Sequence, residues 1–284
     1  MKKDKNTFLI VDGHNLLFQM FYGMPQRIVN RDGRPIQGVV GFVGALIKIL
    51  KQTNPQYMLV LFDGEHKNSR TEILPEYKAN RIDYAAVLEE ENPFLQLPDI
   101  YRALTFMGIK FCETDDAETD DVIAGYSYQY GKEIQIMISS WDSDFFQLVS
   151  DNVSVIRYRG KNTYFCDTAY VENRFMVKPA LYADFKALVG DKSDNIKGAE
   201  KIGPKTAGML LRKFGSLHGI IDNADSIDKK SIRESITGNK ERLLINYQLI
   251  KLNDSAQLPF RIDELSYTYN GLKTKDVLCK AGIE

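Results

Sequence analysis

Residues 8–13 read Phe-Leu-Ile-Val-Asp-Gly, a short apolar run that ends in an acid and a glycine. The same pattern returns at residues 57–64, YMLVLFDG, and a third apolar run at residues 134–138 is followed by Asp142 and Asp144. Short apolar runs bounded by turn residues are typical of buried parallel strands. The sequence therefore predicts three strands that each lead into carboxylates.

Helical patterns lie between these strands. Apolar residues recur at helical spacing in residues 37–53, and residues 95–107 and 120–130 also have helical character. Such alternation predicts an α/β fold, with a parallel sheet covered by helices on both faces. Beyond about Phe175 the pattern is wholly helical, so we expect an α/β domain over residues 1–175 and a helical domain over residues 176–284.

The predicted strand ends bring acids together, because the carboxyl ends of parallel strands meet at one edge of a sheet. Two further acidic groups lie at residues 118–121 and 190–195. Nine carboxylates are candidates for this edge: Asp12, Asp63, Glu118, Asp120, Asp121, Asp142, Asp144, Asp191 and Asp194.

Taken singly, each acidic group has a simpler interpretation. Asp-Gly after a strand is typical of a turn, and acids in residues 118–121 suit the start of a helix. Their occurrence together favours one cluster, in which nine acids could not all stay ionised without cations. Mg²⁺ and Mn²⁺ prefer carboxylate ligands, so the pattern predicts divalent metals.

The charge balance agrees with a polyanionic substrate. The chain of 284 residues has 37 Lys+Arg and 38 Asp+Glu, so the residues outside the nine acids carry a clear positive excess. Metals can activate water and neutralise a phosphate, while the basic remainder attracts nucleic acid. This combination is typical of an enzyme that hydrolyses phosphodiesters.

Composition excludes other classes of protein. A hydrophobic fraction of 44% and a net charge of −1 exclude a disordered chain. The apolar runs fall far short of the roughly 20 residues of a membrane span, and no signal peptide fits the N-terminus. The three cysteines have no metal-type spacing. We therefore expect a cytoplasmic, nucleoid-associated protein.

Seven motifs resemble, in the same order, those of the structure-specific 5′ nucleases: FLIVDG, VLFDG, LPEYKANR, DAETDDVIAG, ISSWDSDFFQLV, LVGDKSDNIKG and IGPKTA. This family includes the 5′–3′ exonuclease domain of bacterial DNA polymerase I, phage 5′ nucleases and flap endonucleases. The resemblance covers roughly residues 7–255. It implies a PIN-like core, two Mg²⁺ or Mn²⁺ ions, and a helix–three-turn–helix element of the helix-hairpin-helix type. No polymerase motifs follow, so a free-standing version is expected.

The resemblance also implies roles for single residues. The first metal site would use Asp12, Asp63, Glu118, Asp120 and Asp121, and the second would use Asp142, Asp144, Asp191 and Asp194. Lys78 and Arg81, expected on one helix face, would contact the scissile phosphate. Arg70 matches another phosphate-contacting arginine, and Tyr77 would stack on an unpaired base.

The segment Gly198–Ala207 resembles the family's hairpin between two helices. Gly203 permits a tight turn and Pro204 suits a first helical position, so Gly198, Gly203, Lys205 and Thr206 are expected to bind duplex phosphates. A K⁺ ion near Gly203 is a further expectation.

Three positions depart from the family's usual pattern. Gln19 stands where an arginine is typical, Trp141 where a small residue is common, and Lys201 where the hairpin usually has glycine. The segment 82–97, where the family has a helical arch, is short and acidic.

The leading hypothesis is a monomeric, metal-dependent 5′ nuclease acting on flaps, nicks, 5′ ends and RNA primers in replication and repair. A PIN-type ribonuclease is an alternative, which the hairpin disfavours because it suits duplex DNA. A non-catalytic binder of DNA junctions is another alternative, which the full set of acids disfavours.

Overall fold

The computed structural model describes residues 6–64, 69–84, 86–115 and 117–283. Six strands form one sheet in the order β3-β2-β1-β4-β5-β6. A two-stranded ribbon, β7-β8, lies in the C-terminal half. The strands are β1 (Thr7–Asp12), β2 (Tyr57–Asp63), β3 (Lys110–Thr114), β4 (Gln135–Ser139), β5 (Val153–Arg157), β6 (Tyr164–Cys166), β7 (Gly190–Asp191) and β8 (Ile196–Lys197).

The three strands predicted to lead into acids are neighbours. β1 pairs in parallel with β2 on one side and with β4 on the other, and Phe8 lies opposite both Tyr57 and Ile136. The prediction of a parallel α/β sheet is therefore confirmed. β5 and the antiparallel edge strand β6 were not predicted.

Helices cover both faces of the sheet, because successive residues of the buried strands point to opposite sides. Phe8 and Ile10 belong to one hydrophobic cluster, whereas Leu9 and Val11 belong to the other. The helices before the C-terminal half are α1 (Gly13–Gly23), α2 (Gln37–Thr53), α3 (Ser69–Ile73), α4 (Leu97–Phe106), α5 (Thr119–Tyr130) and α6 (Thr168–Phe175).

The C-terminal half is mostly helical, and its core is continuous with the Phe8 side of the sheet. Its helices are α7 (Tyr182–Val189), α8 (Pro204–Phe214), α9 (Leu217–Asp222), α10 (Lys230–Gly238), α11 (Lys240–Ile250) and α12 (Thr274–Lys280). None of the helices in the described ranges combines the length and the apolar character of a membrane span.

Residues 254–283 do not pack only within the helical half. Ser266 forms a β-bridge with Tyr57 of the sheet, and α12 packs against α2 and α4. The chain thus returns to the α/β core after α11, because apolar residues such as Val277 complete the hydrophobic cluster on the α2 side.

Candidate metal centre

The carboxyl ends of β2, β1 and β4 bring Asp63, Asp12 and Asp142 to one edge of the sheet. Asp12 is buried, and its carboxylate accepts hydrogen bonds from the Asn15 N–H (3.0 Å) and the Ser140 hydroxyl (2.9 Å). The Asp142 N–H donates to the same Ser140 oxygen at 3.0 Å. Ser140 therefore links the acids that follow β1 and β4, a role for which the sequence offered no signal.

Burial and, after it, acidic neighbours disfavour the ionised forms of Asp12 and Asp120. Burial raises the pKa of Asp12 from 3.8 to about 7, and repulsion from Asp63 and Asp142 adds to this effect against the favourable Asn15 N–H. Burial, followed by repulsion from Asp142, Asp12 and Asp63, also raises the pKa of Asp120 well above its ordinary value. Asp12, Asp63 and Asp120 form the first carboxylate group, with Asp142 beside it, and a cation among them would relieve the repulsion.

Asp63 is the member of this group that stays ionised most readily. Burial acts to raise its pKa, but interactions with His14 and with the Thr119 N–H outweigh burial, and the pKa falls below its ordinary value. The Thr119 N–H donates to the Asp63 carboxylate at 2.9 Å. Because Thr119 begins α5, the helix N-terminus also favours this negative charge.

Glu118 and Asp121 face basic side chains. The buried Arg70 guanidinium donates to the Glu118 carboxylate and, at 2.8 Å, to Oδ1 of Asp121. The Lys78 ammonium lies 3.1 Å from Oε1 of Glu118. Glu118 and Asp121 therefore lie between the first carboxylate group and the side chains of Arg70 and Lys78. Direct ligation of a metal by these two acids remains a prediction.

Asp144, Asp191 and Asp194 form the second carboxylate group, with one oxygen of each lying within 4.8 Å of the others. The Lys186 side chain, only 5% exposed, forms ion pairs with Asp144 and Asp191. Burial raises the pKa of Asp144 to about 7 against the attraction of Lys186. This role of Lys186 was not predicted, although a lysine inside the apolar helix α7 is a signal that the sequence contains.

The donors of both groups suit divalent cations, and among the described residues the second group is the one whose three carboxylate oxygens lie within 4.8 Å of one another. Their donors are carboxylate oxygens, the ligands that Mg²⁺ and Mn²⁺ prefer. Burial raises the pKa of Asp12 and Asp144, and repulsion from neighbouring acids adds to this effect, so a cation would stabilise the ionised carboxylates. Asp142 experiences the charges of both groups, since it repels Asp12 and Asp120 in the first and Asp144 in the second. The two groups are neighbours joined through Asp142, which is linked to Asp12 by way of Ser140 and accepts a hydrogen bond from the Asp144 N–H at 2.8 Å.

Lys78 and Arg81 lie on a turn and not on the expected helix face. Residues 75–80 form turns, and Lys78 has a left-handed φ of 57°, which interrupts helical geometry. Its N–H donates to the Asp194 carbonyl at 3.1 Å, which holds this conformation. The Arg81 guanidinium pairs with the Asp194 carboxylate at 3.0 Å. The turn thus aims Lys78 at the first group and Arg81 at the second.

Arg70 and Tyr77 are more deeply buried than expected of residues that touch substrate. Arg70 is 7% exposed, and its guanidinium lies between Glu118 and Asp121. Tyr77 is 4% exposed, belongs to the hydrophobic core and lies 3.4 Å from the Asp194 carboxylate through its hydroxyl. A buried ring has no face free for a base, so the expected stacking by Tyr77 does not fit this structure.

The hairpin segment connects α7 to α8. A Cβ on Gly198 would lie 2.3 Å from the Val189 carbonyl carbon, so this close approach requires glycine. Lys201 has a φ of 63°, so the turn keeps the left-handed conformation that glycine would adopt. Gly203 precedes α8, and Pro204 occupies its first position as expected. Lys205 is exposed in the first turn of α8.

Helix α11 joins the hairpin to the acidic groups. At its start, Arg242 donates to the Gly198 carbonyl at 2.8 Å. Beyond its end, the Asn253 N–H donates to Asp121 at 2.8 Å. Gln147, three residues after Asp144, bonds to the Ile250 carbonyl at 3.1 Å and to the Leu252 N–H at 3.0 Å. No local sequence pattern predicted these contacts, which join residues 44 to 132 positions apart in the chain.

The metal-free protein is expected to lose thermal stability between pH 5.5 and 7.5 in EDTA. Asp12 and Asp144 have folded pKa values of about 7, above the ordinary 3.8, so their contribution is present at low pH and lost as pH rises through 7. Several millimolar Mg²⁺ should raise the melting temperature at pH 7.5 by mass action. Calorimetry checks both effects, and identical melting temperatures in EDTA and Mg²⁺ at pH 7.5 would count against a shared metal centre.

Comparisons with known proteins agree with this arrangement. Residues 7–176 match the model of the 5′-3′ exonuclease N-terminal resolvase-like domain, and residues 177–272 match its C-terminal SAM-fold domain. A 5′-3′ exonuclease of Aquifex aeolicus is 34% identical over 91% of this chain and 86% of its own length. Thermostable DNA polymerase I of Thermus thermophilus is also 34% identical, but the chain spans only 30% of that longer protein.

Solved structures show the same fold. The T5 D15 protein, crystallised with metal ions, is 26% identical, with a TM-score of 0.73 over 97% of both chains. A T5 D15 flap endonuclease in complex with DNA and metal ions is 24% identical with a TM-score of 0.73, over 98% of this chain and all of that one, and this likeness shows the fold alone. The two family models together account for the sheet, the acidic strand ends and the helical half, and the chain belongs to the 5′–3′ exonuclease family.

Proposed function

We propose that this nuclease hydrolyses DNA phosphodiesters at 5′ flaps, nicks and 5′ ends, including ends that carry RNA primers, and that it acts as a monomer with two Mg²⁺ or Mn²⁺ ions. The observation that carries the proposal is the pair of neighbouring carboxylate groups joined through Asp142, with Lys78 and Arg81 reaching one group each. Two adjacent metal positions beside basic side chains suit in-line displacement at phosphorus.

Each residue set has a defined part in this proposal. Asp12, Asp63 and Asp120 would hold one ion, with Glu118 and Asp121 bounding it. Asp142, Asp144, Asp191 and Asp194 would hold the other. Bound ions would supply an activated water and would neutralise phosphate charge. Lys78 and Arg81 would exchange their present carboxylate partners for oxygens of the scissile phosphate, where negative charge builds during the reaction. Arg70, paired with two of the acids, would contribute by orienting them.

The hairpin would hold the duplex several base pairs from the cleaved bond. The N–H groups of Lys205 and Thr206 lie in the first turn of α8, where backbone donors and the helix dipole attract phosphate. Such contacts position a duplex without reading its sequence. The glycine-like turn at Lys201 supports the expected K⁺ ion near Gly203, which stays a prediction.

Lys205→Ala is expected to weaken binding to every substrate that contains duplex, whatever its sequence. Loss of one phosphate contact should reduce the log–log salt slope by about 1, while the cleavage rate at saturating enzyme stays near wild type. Fluorescence anisotropy with nicked duplex across several salt concentrations measures both quantities.

Lys213→Ala supplies the matched control, because Lys213 lies in the last turn of the same helix, beside Asp228. It should leave the affinity and the salt slope unchanged. Equal affinities of Lys205→Ala and wild type for nicked duplex would show that the duplex is gripped elsewhere.

The proposed function is tested with 5′-labelled flap, nicked and single-stranded DNA, and with a matched RNA, in Mg²⁺, Mn²⁺ or EDTA. We expect cleavage of flap and nicked DNA near the junction with either metal and none in EDTA. Preferential cleavage of RNA would favour a PIN-type ribonuclease. Tight junction binding without cleavage in either metal would favour a non-catalytic binder.

A further inference from the structure

Trp141 is the only tryptophan in the chain and directly precedes Asp142. Its backbone N–H donates to the Asn15 side chain at 2.9 Å, and its indole N–H donates to the Tyr158 carbonyl at 2.9 Å. Its own carbonyl accepts a hydrogen bond from Arg157 at 3.0 Å. Both the backbone and the side chain of Trp141 are thus held in place.

The groups that hold Trp141 belong to regular elements of the fold. Asn15 lies in α1, and Arg157 is the last residue of β5. The Arg157 guanidinium also lies 5.5 Å from the Trp141 ring centre and 4.5 Å from that of Phe146. Stacking of a guanidinium on aromatic rings adds to the hydrogen bonds. Trp141 therefore anchors the loop after β4 to two neighbouring elements at once.

This loop carries the residue that joins the two carboxylate groups. Asp142 interacts electrostatically with Asp12 and Asp120 of the first group and with Asp144 of the second. The Asp144 N–H donates to the Asp142 carboxylate at 2.8 Å, so a displacement of one acid moves the other. The position of the loop consequently sets how the two groups lie relative to each other.

We infer that Trp141 is a positioning residue whose indole hydrogen bond to Tyr158 holds Asp142 and Asp144 at the junction of the two carboxylate groups. The inference rests on the proposed metal-dependent function and deepens it. Loss of a residue that orients metal ligands without binding the metal commonly lowers metal affinity or activity by roughly 10- to 100-fold.

Gln19 makes a selective experiment possible. Its side-chain N–H₂ donates to the same Tyr158 carbonyl at 2.5 Å. Because two donors share this oxygen, Trp141→Phe removes the indole hydrogen bond, which is the side-chain anchor of the acid loop, but leaves the carbonyl with a partner. Gln19→Leu removes the other donor and leaves the loop anchored. The pair of variants separates the positioning of the acids from the general stability of this region.

Binding of Mn²⁺ alone is measured by electron paramagnetic resonance of the free ion, together with melting temperature in EDTA and single-turnover cleavage of a 5′ flap. For Trp141→Phe we expect about tenfold weaker Mn²⁺ binding and about tenfold slower cleavage, with a melting temperature close to wild type. Gln19→Leu should match wild type in all three measurements.

Wild-type Mn²⁺ affinity and cleavage in Trp141→Phe would overturn the inference while leaving the proposed function intact. Equal losses of Mn²⁺ affinity and cleavage in both variants, with lower melting temperatures, would also overturn the inference. They would show that Trp141 stabilises this region in general and does not position the acids. Failure of the wild-type protein to bind Mn²⁺ would instead remove the proposed function, and the inference with it.

Discussion

Asp142→Asn and Asp144→Asn are each expected to slow single-turnover cleavage of a 5′ flap by about 10³-fold, which corresponds to about 4 kcal/mol of transition-state stabilisation. Asp142 joins the two carboxylate groups and Asp144 belongs to the second. The amide preserves shape but removes the charge that would hold a divalent ion. Affinity for the duplex should change little, because the hairpin that would hold it is untouched.

Asp151→Asn is the matched control, since Asp151 is an exposed acid in the next loop of the same segment. It should cleave like wild type. In EDTA, Asp142→Asn should be at least as stable as wild type, because removal of the Asp142 charge relieves its repulsion with Asp12 and Asp120. Near-normal cleavage by either active-site variant would show that the second group is not part of the reaction centre.

Lys78→Ala is expected to reduce single-turnover cleavage by about 10²- to 10³-fold at saturating enzyme, with little change in binding. The Lys78 ammonium lies 3.1 Å from Glu118, at the edge of the first carboxylate group. There it can stabilise charge that develops on the scissile phosphate, whereas the hairpin, which would hold the duplex, is unchanged in this variant. Rapid-quench kinetics with excess enzyme measure the rate, and anisotropy measures the affinity.

The left-handed backbone of Lys78 requires a second variant. Alanine at a φ of 57° keeps the backbone strain of lysine, whereas glycine removes it at no steric cost. Lys78→Gly and Lys78→Ala should therefore be equally slow if the missing charge is responsible. Recovery of activity in Lys78→Gly alone would assign the effect to the backbone. Lys51→Ala, on the exposed surface of α2, should behave as wild type.

Much of the acidic edge of the sheet could be predicted from local sequence. Strands such as Phe8–Val11 are continuous apolar runs because both faces of a parallel sheet are covered, and that pattern needs no knowledge of distant residues. The acids Asp12 and Asp63 follow directly, since parallel strands end at the same edge. The edge strand β6 escaped prediction because Tyr164 and Phe165 are exposed and the strand has only three residues.

The spatial order of the strands was not present in the local pattern, because the sequence order of β1, β2 and β4 does not say which of them pair.

Tertiary structure also decided where the basic side chains lie. Lys78 departs from a helix because its N–H donates to the Asp194 carbonyl, a contact between residues 116 positions apart in the chain. Arg70 is buried for a similar reason, since Glu118 and Asp121 supply its partners.

The sequence by itself indicated the fold class and the nine candidate acids, because burial periodicity and the charge of a side chain are local properties. Only the tertiary structure decided that Lys186 lies between Asp144 and Asp191, that Tyr77 belongs to the core, and that Trp141 anchors the acid loop. These placements depend on hydrogen bonds and ion pairs whose partners are distant in sequence. Such contacts form only when several elements pack together, so their strength and geometry are properties of the folded whole.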